Sequence, residues 1–293
     1  MPPVDIDATV IANARLSRDY SVLSLAAPEV GARTQPGQFV MVKPAGAGDP
    51  LLRRPFSVFE VLRDSRGAIT GVSLLNKRAG RSTKKLYDLE IGDTVSCLGP
   101  LGQPFKAVTP PLQAWMVAGG VGLAPFATLA ETLAASKTPT TLFYGARTAG
   151  ELFYLEFFER LGITLVLATE DGGRGVKGRI TLPLELALKS LGAEGLSTDL
   201  SAVARGGAKV EAPRAKVGAM VYACGPEPML EAVAKLAARY NQPSQVSVER
   251  VMGCGLGGCY SCVVPVKHGH EEANLVRSCI SGPVFDGAEL VWE

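Results

Sequence analysis

A chain of 293 residues is long enough for two or three domains with buried cores. Its 47% hydrophobic and 20% charged content describes an ordinary soluble globular protein. With 30 basic and 28 acidic residues the net charge is +2, which argues against a nucleic-acid or polybasic membrane partner.

The stretch Met1 to Ala8 lacks the basic segment and apolar run of an export signal. The longest uncharged run, residues 107–130, is broken by Pro110, Pro111, Gly119, Gly120, Gly122 and Pro125, so it reads as linker, strand, loop and helix rather than a membrane span. The expected compartment is the cytoplasm, where thiolates stay reduced.

Residues 4–108 read as short strands at 9–16, 20–25, 38–42, 56–62, 69–76 and 94–98, rich in β-branched and aromatic residues and separated by Pro and Gly turns. Few helical patterns interrupt them, so a small antiparallel barrel is expected. The exception is residues 82–89, where Ser82 is suited to cap a helix. Three stretches here look chemical. Arg53-Arg54-Pro55-Phe56-Ser57 offers Arg54 to a phosphate and Phe56 to an aromatic ligand. Leu75-Asn76-Lys77 precedes Gly80-Arg81-Ser82-Thr83, a helix start that can hold an anion. Leu98-Gly99-Pro100-Leu101-Gly102 is a turn that closes the barrel. Taken singly, each is equally a surface turn or a cap. Cys97 reads as a core thiol.

From 109 to 245 strands alternate with helices: strands at 114–118, 140–144, 163–168 and 219–223, helices at 124–135, 151–160 and 227–240. That order predicts a doubly wound parallel sheet with its ligand at the carboxyl ends of the strands. Gly119-Gly120-Val121-Gly122 follows the first strand and allows close backbone approach, without being a G-x-G-x-x-G fingerprint. Cys224-Gly225-Pro226 follows the last strand, and Cys224 by itself reads equally as a buried structural thiol. Arg147 can meet a 2′-phosphate, stack on adenine or face solvent, so NAD and NADP both stay open. Residues 192–218, rich in Gly, Ala, Ser and Lys, read as an inserted loop.

The last segment, 246–293, carries C-x4-C-x2-C-x16-C at Cys254, Cys259, Cys262 and Cys279. This is the plant-type ligand spacing of a [2Fe-2S] cluster. Glycines at 253, 255, 257 and 258 suit a loop whose amides must point at sulfur. A structural zinc site is the rival, although only Cys259 and Cys262 form the C-x2-C pair that zinc favours. A disulfide framework lacks any other sign of secretion. His268 and His270 flank an expected hairpin and read as solvated turn residues.

Together these motifs carry a resemblance. Arg-Pro-Phe-Ser, the Ser-Thr helix start and Leu-Gly-Pro-Leu-Gly closely resemble the FAD-binding barrel of the ferredoxin–NADP reductase superfamily. The resemblance gives Arg54, Pro55, Phe56, Ser57, Leu75, Asn76, Lys77, Ser82 and Thr83 to FAD. It gives Gly119, Gly120, Gly122, Cys224, Gly225 and Pro226 to a nicotinamide dinucleotide. The superfamily usually has Gly-Thr where this chain has Ser82-Thr83, which loosens the approach to phosphate or adds a hydroxyl contact.

The cysteine motif with Cys279-Ile280-Ser281-Gly282-Pro283-Val284-Phe285 resembles the electron-transfer subunits of dihydroorotate dehydrogenase B. In this chain Ser281 replaces the family's customary aspartate, removing a charge beside the cluster. The gap before Cys279 is also longer than usual, with the extra length assigned to residues 268–272. The resemblance implies three domains: an FAD-binding barrel at 4–108, an NAD(P)-binding α/β domain at 109–245 and a small [2Fe-2S] domain at 246–293. It implies a partner, the FMN-containing catalytic subunit, in a heterotetramer of two copies of each, with electrons passing from FMN through the cluster and FAD to NAD+ in pyrimidine biosynthesis. No acid–base catalyst is expected in this chain. Two readings compete: a diaphorase subunit of a hydrogenase, sulfide dehydrogenase or ferredoxin–NADP reductase complex, and a non-redox zinc module.

Overall fold

The structure, a computed structural model, describes residues 2–45, 50–192, 218–269 and 272–292. Six antiparallel strands close a barrel in the order β1–β2–β5–β4–β3–β6. They are β1 (Val4–Arg15), β2 (Tyr20–Ala26), β3 (Phe39–Pro44), β4 (Arg54–Arg63), β5 (Ile69–Lys77) and β6 (Thr94–Leu101). Alternate residues point inward, so Val10, Leu23, Leu25, Val40, Val42, Val58, Val72, Leu74 and Val95 form its core, with Cys97 fully buried among them. Burial pushes the Cys97 thiol up to about 12, as befits a packing residue. Closure leaves no free sheet edge to pair with another chain.

Two helices dress the barrel, α1 (Pro28–Gly31) and α2 (Arg81–Asp88). Leu86 of α2 plugs the core. Asn13 of β1 donates to the carbonyls of Leu86, Tyr87 and Leu89 at 3.1, 3.1 and 2.9 Å, satisfying acceptors that a helix end otherwise leaves open. The cap differs from the expected one. Gly80 occupies the N-cap, and the Thr83 hydroxyl accepts its amide at 2.9 Å. Ser82 is a buried residue inside the first turn. A backbone–hydroxyl contact three residues back fixed the start more strongly than the serine's capping preference.

The second unit is a seven-stranded sheet in the order β10–β9–β8–β7–β11–β12–β15. Its strands are β7 (Gln113–Gly119), β8 (Thr140–Ala146), β9 (Thr164–Thr169), β10 (Val176–Lys177), β11 (Ala219–Cys224), β12 (Ser244–Ser247) and, antiparallel at one edge, β15 (Val284–Asp286). Helices cover both faces, which is why β7 reads as an almost unbroken apolar run. Met116 and Ala118 face α3 (Phe126–Ala135) and α4 (Leu155–Arg160). Trp115 and Val117 face α5 (Thr181–Gly192) and α6 (Glu227–Arg239). The first face also packs against Val22, Phe59 and Leu75 of the barrel, so barrel and sheet share one core.

Several elements depart from expectation. Helix α4 begins at Leu155 rather than near 151, because Tyr154 takes a left-handed conformation (φ 59°) and Ala149–Glu151 form a separate 3-10 turn. Helix α5 is the helix expected ahead of the insertion, whose bounds no sequence signal marked. The hairpin of β13 (Val263–Val266) and β14 (Asn274–Arg277) appears where it was expected. Residues 193–217 of the anticipated insertion, and His270, lie outside the described residues. The carboxyl-terminal segment is built onto both units: β15 extends the sheet, and the cysteine loop lies on the barrel.

Candidate functional site

The cysteine loop rests on β3 and β6. Phe39, Met41, Leu98 and Leu101 of the barrel pack with Met252, Cys262 and Cys279. Gly255 makes this seat possible: its φ is 72°, and a Cβ there would lie 2.6 Å from the Met41 side chain. The Gly102–Gln103 turn holds the returning strand, with the Gln103 amide on the Gly282 carbonyl at 2.6 Å and its side chain on Ile280 at 3.0 Å.

The four thiols meet two by two. Cys254 contacts Cys259, and Cys262 contacts Cys279. Cys262 and Cys279 are each 1% exposed, whereas Cys259 is exposed. The Leu256 amide donates to Cys254 Sγ at 3.4 Å. The Ser261 hydroxyl, 3.1 Å from Cys259 Sγ, is the main cause that holds that thiol down to about 6. Burial, then Cys262, pushes Cys279 up to about 12. Among the described residues no three His, Cys, Asp or Glu side chains converge on one ion. Two thiolates per iron, from two pairs, is what a binuclear cluster needs, so the donor set fits one.

On the barrel, β3 pairs with β4 so that Met41 faces Pro55, Val40 faces Phe56 and Phe39 faces Ser57. Strand β5 pairs with β2 through Asn76–Ser21 and Lys77–Tyr20. Between them, β4–β5 pairing stops at Val58–Leu74, leaving Arg54–Ser57 and Leu75–Lys77 on either side of an open seam. Asn76 is buried in it, donating to the Thr83 carbonyl at 3.0 Å while its Oδ1 has no partner. An orphaned buried acceptor costs about 1–3 kcal/mol, and a ligand donor at this seam would satisfy it. Arg53 is committed to structure, bonding Asp5 and the Ser96 hydroxyl (2.7 Å). Arg54 is exposed and donates to the carbonyls of Leu52 and Arg53 (3.2 Å each).

At the carboxyl end of the parallel sheet, β7 and β11 are neighbours, with Ala118 opposite Cys224. The turn at 119–122 therefore packs directly on Cys224-Gly225-Pro226: a Cβ on Gly122 would lie 2.1 Å from the Cys224 carbonyl. Burial pushes the Cys224 thiol up to about 12, against the opposing Ser247 hydroxyl bond, so it is neutral at physiological pH. Arg147 is solvent-exposed and pairs with Glu151, Nη2–Oε1 at 2.7 Å. His268 bonds Glu289 at 2.9 Å. Sequence reasoning missed Ser247 and Ser261, each adjacent in space to a cysteine; for Ser261 its place between Cys259 and Cys262 was the available signal.

Barrel, parallel sheet and cysteine loop define an oxidoreductase of the ferredoxin–NADP reductase fold. The family model "Iron-sulfur cluster binding domain of dihydroorotate dehydrogenase B" matches residues 249–291, and "Oxidoreductase NAD-binding domain" matches 116–187. The dihydroorotate dehydrogenase B (NAD(+)) electron transfer subunit of Desulforamulus reducens is 33% identical over 287 residues, covering 98% of each chain. That of Geobacillus kaustophilus is 37% identical over 286 residues, 96% of each. A chain of an NADH-dependent reduced ferredoxin-NADP oxidoreductase shares the fold, with TM-score 0.75 at 24% identity over 97% of this chain and 90% of that one. This chain belongs to the family of dihydroorotate dehydrogenase B (NAD+) electron transfer subunits. Membership implies a separate catalytic subunit as partner. Among the described residues, no helix is long and apolar enough to cross a membrane.

Proposed function

We propose that this chain carries electrons from the FMN of a dihydroorotate dehydrogenase catalytic subunit, through a [2Fe-2S] cluster and FAD, to NAD+ in pyrimidine biosynthesis. One observation carries the reading: the paired cysteines sit on β3, whose neighbour β4 bears the Arg54–Ser57 motif, with Met41 touching both. A one-electron port and a flavin strand are thereby side by side.

In this reading residues 4–108 bind FAD, 109–245 bind the dinucleotide and 246–293 hold the cluster. Arg54 and the first-turn amides of α2 at Ser82 and Thr83 neutralise the pyrophosphate. Pro55, Phe56, Ser57, Leu75, Asn76 and Lys77 flank the ring system. Gly119, Gly120 and Gly122 admit the dinucleotide backbone, and Cys224, Gly225 and Pro226 border the nicotinamide. Cys254, Cys259, Cys262 and Cys279 ligate the cluster. When bound, FAD supplies the conversion between hydride exchange with nicotinamide and single-electron exchange with the cluster. The chain's own part is to position and to exclude water: Phe39, Met41, Leu101 and Met252 seal the space between loop and barrel. Cys259 is exposed, which supports an approach of the partner to this side of the loop. No side chain is assigned a proton.

The partner is the FMN-containing catalytic subunit, in a heterotetramer of two copies of each. The compartment is the cytoplasm, whose reducing poise keeps ligand thiols free. NAD is the acceptor, as in the relatives whose names carry NAD(+). Pull-down from the native host tests the assignment. Recovery of an FMN-containing subunit that oxidises dihydroorotate is expected; recovery of a hydrogenase or sulfide dehydrogenase subunit instead would move the chain to the diaphorase class.

A further inference from the structure

We propose that Arg277 and Ser261 set the reduction potential of the cluster at Cys254, Cys259, Cys262 and Cys279, holding it higher than the thiolates alone would. This rests on the cysteines binding a cluster, as proposed above. Two independent contacts carry it.

Arg277 ends β14, two residues before Cys279. Its Nη1 donates to the Gly257 carbonyl at 2.8 Å, and its guanidinium lies 4.9 Å from the centre of the Tyr260 ring. These contacts pin the positive charge against the loop. Gly257 itself hydrogen-bonds through its backbone to Cys279, so one residue separates the guanidinium from a ligand sulfur. Among the described residues the recorded contacts of Arg277 are a carbonyl and a ring, with no carboxylate to cancel the charge. The two residues after Cys279 are Ile280 and Ser281, both neutral.

Ser261 acts at the other pair. Its Oγ accepts the Gly253 amide at 2.9 Å and lies 3.1 Å from Cys259 Sγ. A hydroxyl has one proton and two lone pairs, and a metal-bound thiolate can only accept. With a lone pair taken by Gly253, the proton of Ser261 is directed at the sulfur.

Both effects have the same sign. Reduction adds one negative charge at the sulfur-bound irons. A fixed cation and a donor to sulfur each stabilise the more negative state, and so raise the potential. Arginine stays charged at every working pH, so its share does not titrate away.

The test is a potentiometric titration of the holoprotein followed by electron paramagnetic resonance, with iron content measured alongside. Arg277→Gln and Ser261→Ala should each lower the midpoint with iron retained, and Arg277→Lys should return most of the first shift. An unshifted midpoint in iron-replete Arg277→Gln overturns the proposal, as does Arg277→Lys shifting as far as Arg277→Gln. Should Arg277→Gln fail to load iron, Ser261→Ala, which removes no charge, decides: an unshifted midpoint there overturns it. Wild-type protein free of iron and of signal removes the cluster reading itself, and this proposal with it.

Discussion

Arg250 and Glu227 face each other in a two-point ion pair, with Nη1–Oε2 and Nη2–Oε1 both at 2.7 Å. Glu227 opens α6, directly after Cys224-Gly225-Pro226, and Arg250 lies four residues before Cys254. The pair therefore ties the approach to the cysteine loop to the segment assigned to nicotinamide. A carboxylate at a helix start is also favoured by the helix dipole.

Arg250 hydrogen bonds, opposed by some desolvation, hold the Glu227 carboxyl below its ordinary 4.5. A carboxyl depressed on folding adds stability above its unfolded value and loses it as pH falls through the folded value. Both side chains are partly solvated, which limits the pair to roughly 0.2–1 kcal/mol. Thermal melts of Glu227→Gln should therefore lie slightly below wild type at neutral pH. The gap should close as the pH drops below 4.5, and a gap that widens on acidification would contradict the pairing.

Gly122→Ala introduces a Cβ that would lie 2.1 Å from a backbone oxygen that cannot swing away. The turn at 119–122 must shift, taking its amides with it. The expected outcome is a raised KM for NADH with flavin absorbance intact, checked by steady-state dye reduction.

Asn76→Ala removes the donor to the Thr83 carbonyl and the orphaned, buried Oδ1. The Thr83 carbonyl lies within α2 and keeps its helical partner, so the direct loss is one hydrogen bond, about 0.5–1.5 kcal/mol. Lower FAD content after purification, restored in part by added FAD, is the measurement. Full flavin content would remove Asn76 from the FAD site.

Cys259→Ser breaks the Cys254–Cys259 pair at its exposed member while leaving barrel and sheet untouched. Electron transfer to the catalytic subunit should fall far more than NADH-dependent reduction of small dyes. Equal loss of both rates would place the cluster elsewhere in the electron path.

The elements with local signatures were legible in the sequence. Cysteine spacing, the Gly119–Gly122 turn and the alternating strands of the barrel are set by neighbours along the chain. What escaped depends on distance or on single torsions. Strand β15 is three residues long and becomes a strand only by pairing with β12, far away in sequence. The late start of α4 rests on one left-handed tyrosine, Tyr154, which no propensity forecasts. Ser82 suggested a cap because serine favours that position, yet the Gly80–Thr83 contact decided the boundary. The site showed the same division. The four cysteines could be read directly, but not their seat on Met41 or the hold of Arg277 on Gly257.

The central claim is that the paired cysteines form a one-electron port beside a flavin. Metal analysis and absorbance of the purified protein, with electron paramagnetic resonance after reduction, test it most directly. The account predicts a brown-yellow protein containing flavin, iron and acid-labile sulfide, with a rhombic signal on reduction. A colourless protein carrying zinc in place of iron would contradict it.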